Sequence, residues 1–209
     1  MNYLSPAEFQ NYGLEATTAE GWVTAASALI NAHCRRETLA ITQYRERLGL
    51  SSGRNSVRLS YLPLAAAGPA TTPIVSARAR YAAARRGESA GQGDWAAEIA
   101  QAFGIPGMWT ELDAGMVDYA ANTGELTLPA SPLGWGFSEV EIVYTAGLEN
   151  IPEGVKCACA QIVRNALATP ALNVRAGNLE RMHLEYFSDT LIDQTVRALL
   201  APYVAQKVD

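Results

Sequence analysis

The sequence predicts an α+β fold in which a bundle-like helical core carries an inserted antiparallel β-rich subdomain and ends in a long C-terminal helix plus tail. Apolar residues recur at helical spacing towards both ends of the 209-residue chain, in residues 18–36, 153–169 and 184–201. Between these segments apolar and polar residues alternate, which is typical of half-exposed antiparallel strands. The order helix, strand, helix therefore favours a helical core interrupted by a β insertion.

We expect three parts along the chain. Residues 1–53 form the N-terminal helical part of the core, residues 54–147 form the inserted β-rich subdomain, and residues 148–209 form the C-terminal helices of the core and a docking tail. The run Thr145-Ala146-Gly147 ends the insertion, and Gly147 is predicted to hold a backbone angle that other residues resist.

Capping signals place the first helices. Ser5 followed by Pro6 predicts an N-cap with a proline at the first helical position, so a short helix begins there. Thr17 and Glu20 match a capping box ahead of the amphipathic helix of residues 18–36.

The middle of the chain predicts strands. Residues 41–48 stay undecided between strand and short helix, because they alternate only loosely. Residues 109–119 and 125–128 are predicted strands, with a turn at residues 122–124. Residues 74–81 alternate clearly. The predicted polar face holds Ile74, Ser76, Arg78 and Arg80, and the predicted apolar face holds Val75, Ala77, Ala79 and Tyr81. One face of a later strand holds Val140, Ile142 and Tyr144.

The last predicted helix, residues 184–201, carries an apolar stripe. The stripe consists of Leu184, Phe187, Leu191, Thr195 and Leu199, widened by Ile192, Val196 and Leu200. Pro202 ends this helix, and residues 204–209 read as a loose tail.

Composition limits the class of protein. The chain is 49% hydrophobic, which suffices for a sizeable core, and its formal net charge of -5 makes wide contact with nucleic-acid phosphates unfavourable. Such a charge is compatible with a protein that lets DNA slide past it. The sequence has three cysteines, an odd number, and shows no signal-peptide pattern. It also has no apolar run of the ~20 residues that are needed to span a bilayer. These observations predict a protein made in a reducing cytoplasm.

Two cysteines of one predicted helix, Cys157 and Cys159, raise the question of a metal or redox site. Helical residues two apart point roughly 200° apart, so the pair is poorly placed to hold one metal ion, and we expect both to be packing residues. The two histidines, His33 and His183, form no zinc signature. We predict no catalytic residues, no cofactor and no metal, hence not an enzyme.

Four arginines form the local positive patch of the sequence: Arg78, Arg80, Arg85 and Arg86. They are interpreted either as a solvated strand edge or as a contact for an acidic partner protein or for passing DNA.

Several motifs, taken in order, resemble the head-tail connector (adaptor, or head completion) proteins of tailed bacteriophages and prophages. The central one is the run VEIVYTAG at residues 140–147, followed by Ile151-Pro152 and an Ala-rich helix. The others are Tyr3-Leu4-Ser5 leading into the first long helix, the segments PIVS at 73–76 and GELTL at 124–128, and the ending LLAPY at 199–203. Together they cover nearly the whole chain.

The resemblance implies a structural virion protein. Connectors of this family assemble as rings, commonly of twelve subunits, beneath the portal; they extend the DNA channel and join the capsid to the tail. The implied partners are the portal protein, a tail or neck protein, further copies of the chain and passing double-stranded DNA, with no membrane. The implied location is the virion neck. By this analogy the portal-docking residues are Leu191, Val196, Leu199, Leu200, Pro202, Tyr203 and Val204, and the arginine patch faces the lumen or an acidic partner.

Other functions stay open. The alternative within the same structural class is another neck or tail-completion protein. A further alternative is a stand-alone bacterial interaction domain. The alternative from a different class is a small serine hydrolase. Residues 49–53 match the Gly-x-Ser-x-Gly pattern, and Ser51 or Ser52 would be the nucleophile.

Overall fold

The computed structural model describes residues 1–51, 54–65, 72–81, 108–130, 137–168, 176–179, 182–185 and 191–206. Among them are three α-helices, α1 (Glu20–His33), α2 (Glu153–Ala168) and α3 (Gln194–Leu200), and three short 3-10 helices, Pro6–Tyr12, Ala114–Met116 and Ala201–Tyr203. The strands are β1 (Thr42–Gly49), β2 (Ser56–Arg58), β3 (Ile74–Arg80), β4 (Trp109–Leu112), β5 (Asp118–Tyr119), β6 (Glu125–Thr127), β7 (Glu139–Ala146), β8 (Ala176–Leu179) and β9 (Met182–Glu185).

The chain divides into two compact units. Unit 1 consists of Met1–Leu39 and Asn150–Ala205, and unit 2 consists of Ala40–Glu149 and Gln206–Asp209. Unit 1 contains the α-helices and the antiparallel hairpin of β8 and β9. Unit 2 contains strands β1 to β7.

Unit 1 begins with the predicted short helix. The Glu8 carboxylate accepts hydrogen bonds from the Ser5 backbone N–H, at 3.0 Å, and from Ser5 Oγ, at 2.7 Å, which fixes the start of the 3-10 helix Pro6–Tyr12. The capping box predicted at Thr17 is wrong: α1 has Ala19 as its N-cap residue, with no side-chain cap.

The core of unit 1 lies between α1 and α2, and α3 packs against α2. Its fully buried side chains repeat at helical spacing, because each helix presents one apolar face inward. They include Val23, Ala26 and Ile30 of α1, Val155, Ala158, Cys159, Ile162 and Val163 of α2, and Val196 and Leu200 of α3.

Unit 2 is built on a four-stranded antiparallel sheet in the order β1-β7-β3-β4 and a three-stranded antiparallel sheet in the order β2-β6-β5. Both sheets contribute to one hydrophobic core. The central strand β7 buries Val140, Ile142 and Tyr144 there, all at 0% exposure, as their shared strand face predicts.

The prediction of a bundle-like helical core is wrong. The structure mixes sheet and helix, and the β strands of unit 2 have their own large core instead of decorating a helical one. The reason is that β7 pairs along its length with β1 on one side and with β3 on the other, so residues 42–49 belong to the sheet. A pairing between residues a hundred positions apart leaves no local pattern for the sequence to reveal.

The predicted long C-terminal helix is also wrong. Residues 182–185 form strand β9, and α3 begins only after Asp193, whose side chain accepts a hydrogen bond from the Val196 N–H at 2.8 Å. This cap satisfies a free N–H group of the first turn, so it fixes the start of a helix of seven residues.

Strand β3 departs from its predicted faces at one end. A bulge lies between Ile74 and Ser76, so Ile74 is 2% exposed and Val75 is 52% exposed, the reverse of the prediction. From Ser76 onward the prediction is confirmed, with Ala77 and Ala79 buried and Arg78 and Arg80 on the other face.

Candidate functional site

One face of the four-stranded sheet concentrates charge, and we call it the charged face. It consists of Arg45 and Arg47 on β1, Glu139 and Glu141 on β7, Arg78 and Arg80 on β3, and Trp109 and Glu111 on β4. The strand registers place Arg47, Glu141, Arg78 and Glu111 in one row across the sheet. Because side chains of one face recur every second residue, the next row is Gly49, Glu139, Arg80 and Trp109.

Glu141 forms the first centre of this network. Its Oε1 atom accepts from Arg78 Nε at 3.0 Å and lies 2.8 Å from Arg78 Nη2, and Arg45 Nε is 3.5 Å from the same oxygen. The glutamate of the central strand therefore connects the strands on both its sides.

Glu139 forms the second centre. Arg47 Nη2 donates to Glu139 Oε2 at 2.9 Å, a second bond joins Arg47 Nε to Glu139 Oε1, and Arg80 Nη2 lies 2.5 Å from Glu139 Oε2. The hydrogen bonds from Arg47, aided by those from Arg80, hold the pKa of the Glu139 carboxyl below its ordinary value, while the same pair raises the pKa of Arg47.

Trp109 completes the charged face. The guanidinium carbons of Arg80, Arg78 and Arg47 lie 4.9, 5.0 and 5.3 Å from the centre of its ring. Cations at such distances from an indole ring are attracted by its π electrons. The tryptophan thus helps to hold three arginine side chains in place over the sheet.

The arginines are more exposed than the carboxylates that they contact. The side chains of Arg45 and Arg47 are 69% and 49% exposed, whereas those of Glu139 and Glu141 are 22% and 13% exposed. The outer layer is therefore rich in guanidinium N–H donors, and such donors suit a carboxylate or phosphate partner.

Sequence reasoning found part of this surface. It singled out Arg78 and Arg80, which lie at its centre, and Arg85 and Arg86, which lie outside the described residues. It missed Arg45, Arg47, the two glutamates and Trp109. The available signal was the alternation of Arg45 and Arg47 with Tyr44 and Glu46, which is a strand pattern.

The residues predicted to dock a portal differ in exposure. Val196 and Leu200 are 0% exposed in the core of unit 1, so they offer no surface to a partner while α3 stays in place. Leu191, Leu199, Tyr203 and Val204 are half-buried, and Pro202 is exposed. The accessible part of the predicted docking segment is therefore its last turn, around the 3-10 helix Ala201–Tyr203.

The cysteines of α2 point to different environments. Cys159 is buried, as predicted, and burial raises the pKa of its thiol to about 11. Cys157 is exposed, so the prediction that it is a packing residue is wrong. The physical reason is the angle of roughly 200° between helical residues two apart, which turns one of them outward when the other faces the core. Within the described ranges no three His, Cys, Asp or Glu side chains are grouped so as to hold a metal ion.

The Gly-x-Ser-x-Gly motif does not form the joint that a serine nucleophile needs. It follows strand β1, but the next element in the described part of the chain is strand β2, which begins at Ser56, so no helix begins at the motif among the described residues. Ser51 is exposed and lines an open groove of about 760 Å³ with Arg54, Arg58 and Glu125, while Ser52 lies outside the described residues.

Unit 1 carries a second groove, of about 770 Å³, next to two exposed apolar side chains. Trp22 of α1 is 45% exposed and Leu167 of α2 is 53% exposed.

No helix in the part of the chain that the structure describes is long and apolar enough to cross a bilayer.

Comparisons with models of known protein families and with curated proteins find no match for this chain.

Proposed function

We propose that this protein is a structural subunit of a bacteriophage or prophage particle, a head-tail connector that assembles as a ring beneath the portal and joins the capsid to the tail. The observation that carries the proposal is the joint between β7 and α2, which is the centre of the resemblance described above. In this joint a strand ends at Thr145-Ala146-Gly147 and a loop leads into an Ala-rich helix.

Hydrogen bonds and a positive φ angle hold the backbone at the end of β7. Gly147 has a φ angle of +138°, and its N–H donates to the Pro63 carbonyl at 3.0 Å. The Thr145 hydroxyl donates to the Ala65 carbonyl at 2.6 Å. These contacts lie within unit 2, so they hold the end of β7 where the chain leaves the sheet for the loop that leads to α2.

The charged face supports an assembly role. Its guanidinium groups are held by Glu139, Glu141 and Trp109, so they are preorganised for a partner at little entropic cost. Because Glu139 and Glu141 offset part of the positive charge of the four arginines, this face would bind a phosphate backbone less tightly than unpaired arginines would, which suits a conduit for DNA. In the proposed particle this face lies towards the channel or towards an acidic neighbour.

The experiment that tests the proposal is binding to the cognate portal. The purified protein, alone and mixed with portal rings, is measured by light scattering and imaged by negative-stain microscopy. The proposal expects rings, or a layer of density added to the portal ring. A monomer that leaves the portal mass unchanged contradicts it.

Matched variants sharpen this experiment. Replacing Pro202 by Ser together with Tyr203 by Ala changes the accessible end of the predicted docking segment and should weaken portal binding. Met116→Ala alters a 66% exposed apolar side chain of unit 2 and should leave portal binding unchanged. Equal loss in both variants would speak against docking through the C-terminal segment.

A further inference from the structure

The four-stranded sheet of unit 2 has two outer edges, formed by β1 and β4. In the part of the chain that the structure describes, no further strand pairs with either edge. An edge strand presents backbone N–H and C=O groups that can pair with a strand of another chain. Strand β1 is eight residues long and β4 is four, and in each strand about every second residue turns its backbone groups outward.

The two edges carry opposite charges on the same face of the sheet. Strand β1 presents Arg45 and Arg47, whereas β4 presents the exposed carboxylate of Glu111. No ion pair joins Glu111 to any other described residue. The remaining acid of β1, Glu46, faces the other side of the sheet and accepts a hydrogen bond from the Ser60 N–H at 3.0 Å.

The strand directions allow the two edges to meet. Neighbouring strands in the order β1-β7-β3-β4 are all antiparallel, so β1 and β4 run in opposite directions. Strand β1 of a second copy, placed beside β4, would therefore continue an antiparallel sheet with its arginines on the same face as Glu111. Antiparallel pairing with opposite charges across the strands is favourable.

We propose that β1 of one copy pairs antiparallel with β4 of the next copy, with Arg45 and Arg47 facing Glu111. The contact joins two different surfaces, so each added copy leaves one free edge at each end of the assembly, and the assembly closes when the rotation between copies completes a ring. This inference rests on the proposed function for its closed ring, but the pairing of edges is tested by itself.

Charge reversal tests the pairing. Arg45→Glu and Glu111→Arg each place like charges across the contact. In the double variant, the glutamate at position 45 of one copy faces the arginine at position 111 of the next copy, so opposite charges are restored. Arg45 is chosen because its side chain is 69% exposed and its ion pair within the chain is long, at 3.5 Å. Asp118→Arg and Arg54→Glu are matched controls, because they make the same changes of charge at exposed positions outside the two edges.

Sedimentation velocity over a range of protein concentrations measures self-association, and thermal unfolding checks that each variant is folded. The proposal expects the wild type to associate and each single edge variant to associate at least about tenfold more weakly. The double variant should regain the association of the wild type within about threefold, and both controls should retain it within the same limit. It is overturned if the edge variants associate like the wild type, if the double variant stays as weak as the single ones, if the controls weaken association equally, or if the wild type stays monomeric at its highest soluble concentration.

Portal binding separates this inference from the proposed function. A wild type that adds a layer to portal rings while the edge variants do so equally well leaves the connector function standing and overturns the edge pairing. A wild type that self-associates through the two edges but ignores the portal supports the pairing and contradicts the connector function.

Discussion

Arg78 and Glu141 face each other across β3 and β7, and Arg78 approaches one oxygen of Glu141 with two nitrogens, at 3.0 and 2.8 Å. The Glu141 side chain is 13% exposed and the Arg78 side chain is 36% exposed, so the pair is partly shielded from water. Glu141 also lies beside Arg45 on the opposite strand. One side chain of the central strand thus contributes to the pairing of three strands.

We expect Glu141→Gln to lower the free energy of unfolding by about 1 kcal/mol, because the substitution leaves Arg78 without its charged partner. Urea denaturation measures the change. The control is Asp118→Asn, at an exposed position of the other sheet, which should change the stability by less than about 0.5 kcal/mol. A loss for Glu141→Gln no larger than that of the control would show that the network does not stabilise the sheet.

A second prediction concerns pH and the ion pair between Lys156 and Glu8 in unit 1. Lys156 Nζ lies 2.5 Å from Glu8 Oε1, and this hydrogen bond, with those from Ser5, lowers the pKa of Glu8 from 4.5 to about 2. A carboxyl whose pKa is lower in the folded state stabilises the fold above its unfolded pKa, and this contribution is lost as the pH falls from about 4.5 to about 2.

The wild type should therefore lose more stability than Glu8→Gln between about pH 6 and about pH 3, by about 1 kcal/mol, because partial exposure screens the pair. Urea unfolding at the two pH values measures the difference. Glu15→Gln, at an exposed glutamate outside the pair, should retain the wild-type pH dependence. The attribution to Glu8 fails if Glu8→Gln and the wild type lose the same amount.

Features with local signals were predictable from the sequence. Ser5 and Pro6 start a helix where their cap chemistry places it, and the alternation of Val140, Ile142 and Tyr144 identifies the buried face of β7. The predicted angle at Gly147 is also confirmed, by a φ of +138°. Each of these depends on neighbours in the sequence.

Features for which the local pattern was misleading or silent were not predictable. The apolar spacing from Leu184 to Leu200 fits a helix, but residues 182–185 pair with residues 176–179 as a hairpin, and the cap at Asp193 starts α3 late. The charged face is assembled from four strands that are far apart in the chain. Its individual arginines and glutamates look like ordinary solvated residues until the registers bring them together.

A third prediction concerns Gly147. Besides its positive φ, a Cβ added there would lie 2.7 Å from Ile41 Cα and would also overlap the Ala40 carbonyl. We expect Gly147→Ala to destabilise the protein by about 2–4 kcal/mol, because neither backbone segment can move without breaking its pairing.

Thermal and urea unfolding measure the effect of Gly147→Ala. Gly21→Ala in α1 is the matched control, because a Cβ at Gly21 would meet nothing within 4 Å. In a helix alanine is favoured over glycine, so this variant should be as stable as the wild type or up to about 1 kcal/mol more stable. Equal stability of the two variants would contradict the role assigned to the joint.

The last prediction uses the different environments of the three cysteines. Cys157 is exposed, whereas Cys34 and Cys159 are buried, and burial raises the pKa of each buried thiol to about 11. Because the thiolate is the reactive form, a thiol reagent at about pH 8 should modify one cysteine rapidly in the folded protein and all three after denaturation. Cys157→Ser should abolish the rapid reaction while leaving the total of the two others in denaturant. Rapid modification of Cys159 in that variant would mean that α2 does not present Cys159 to the core, and the packing of α2 against α1 would have to be revised.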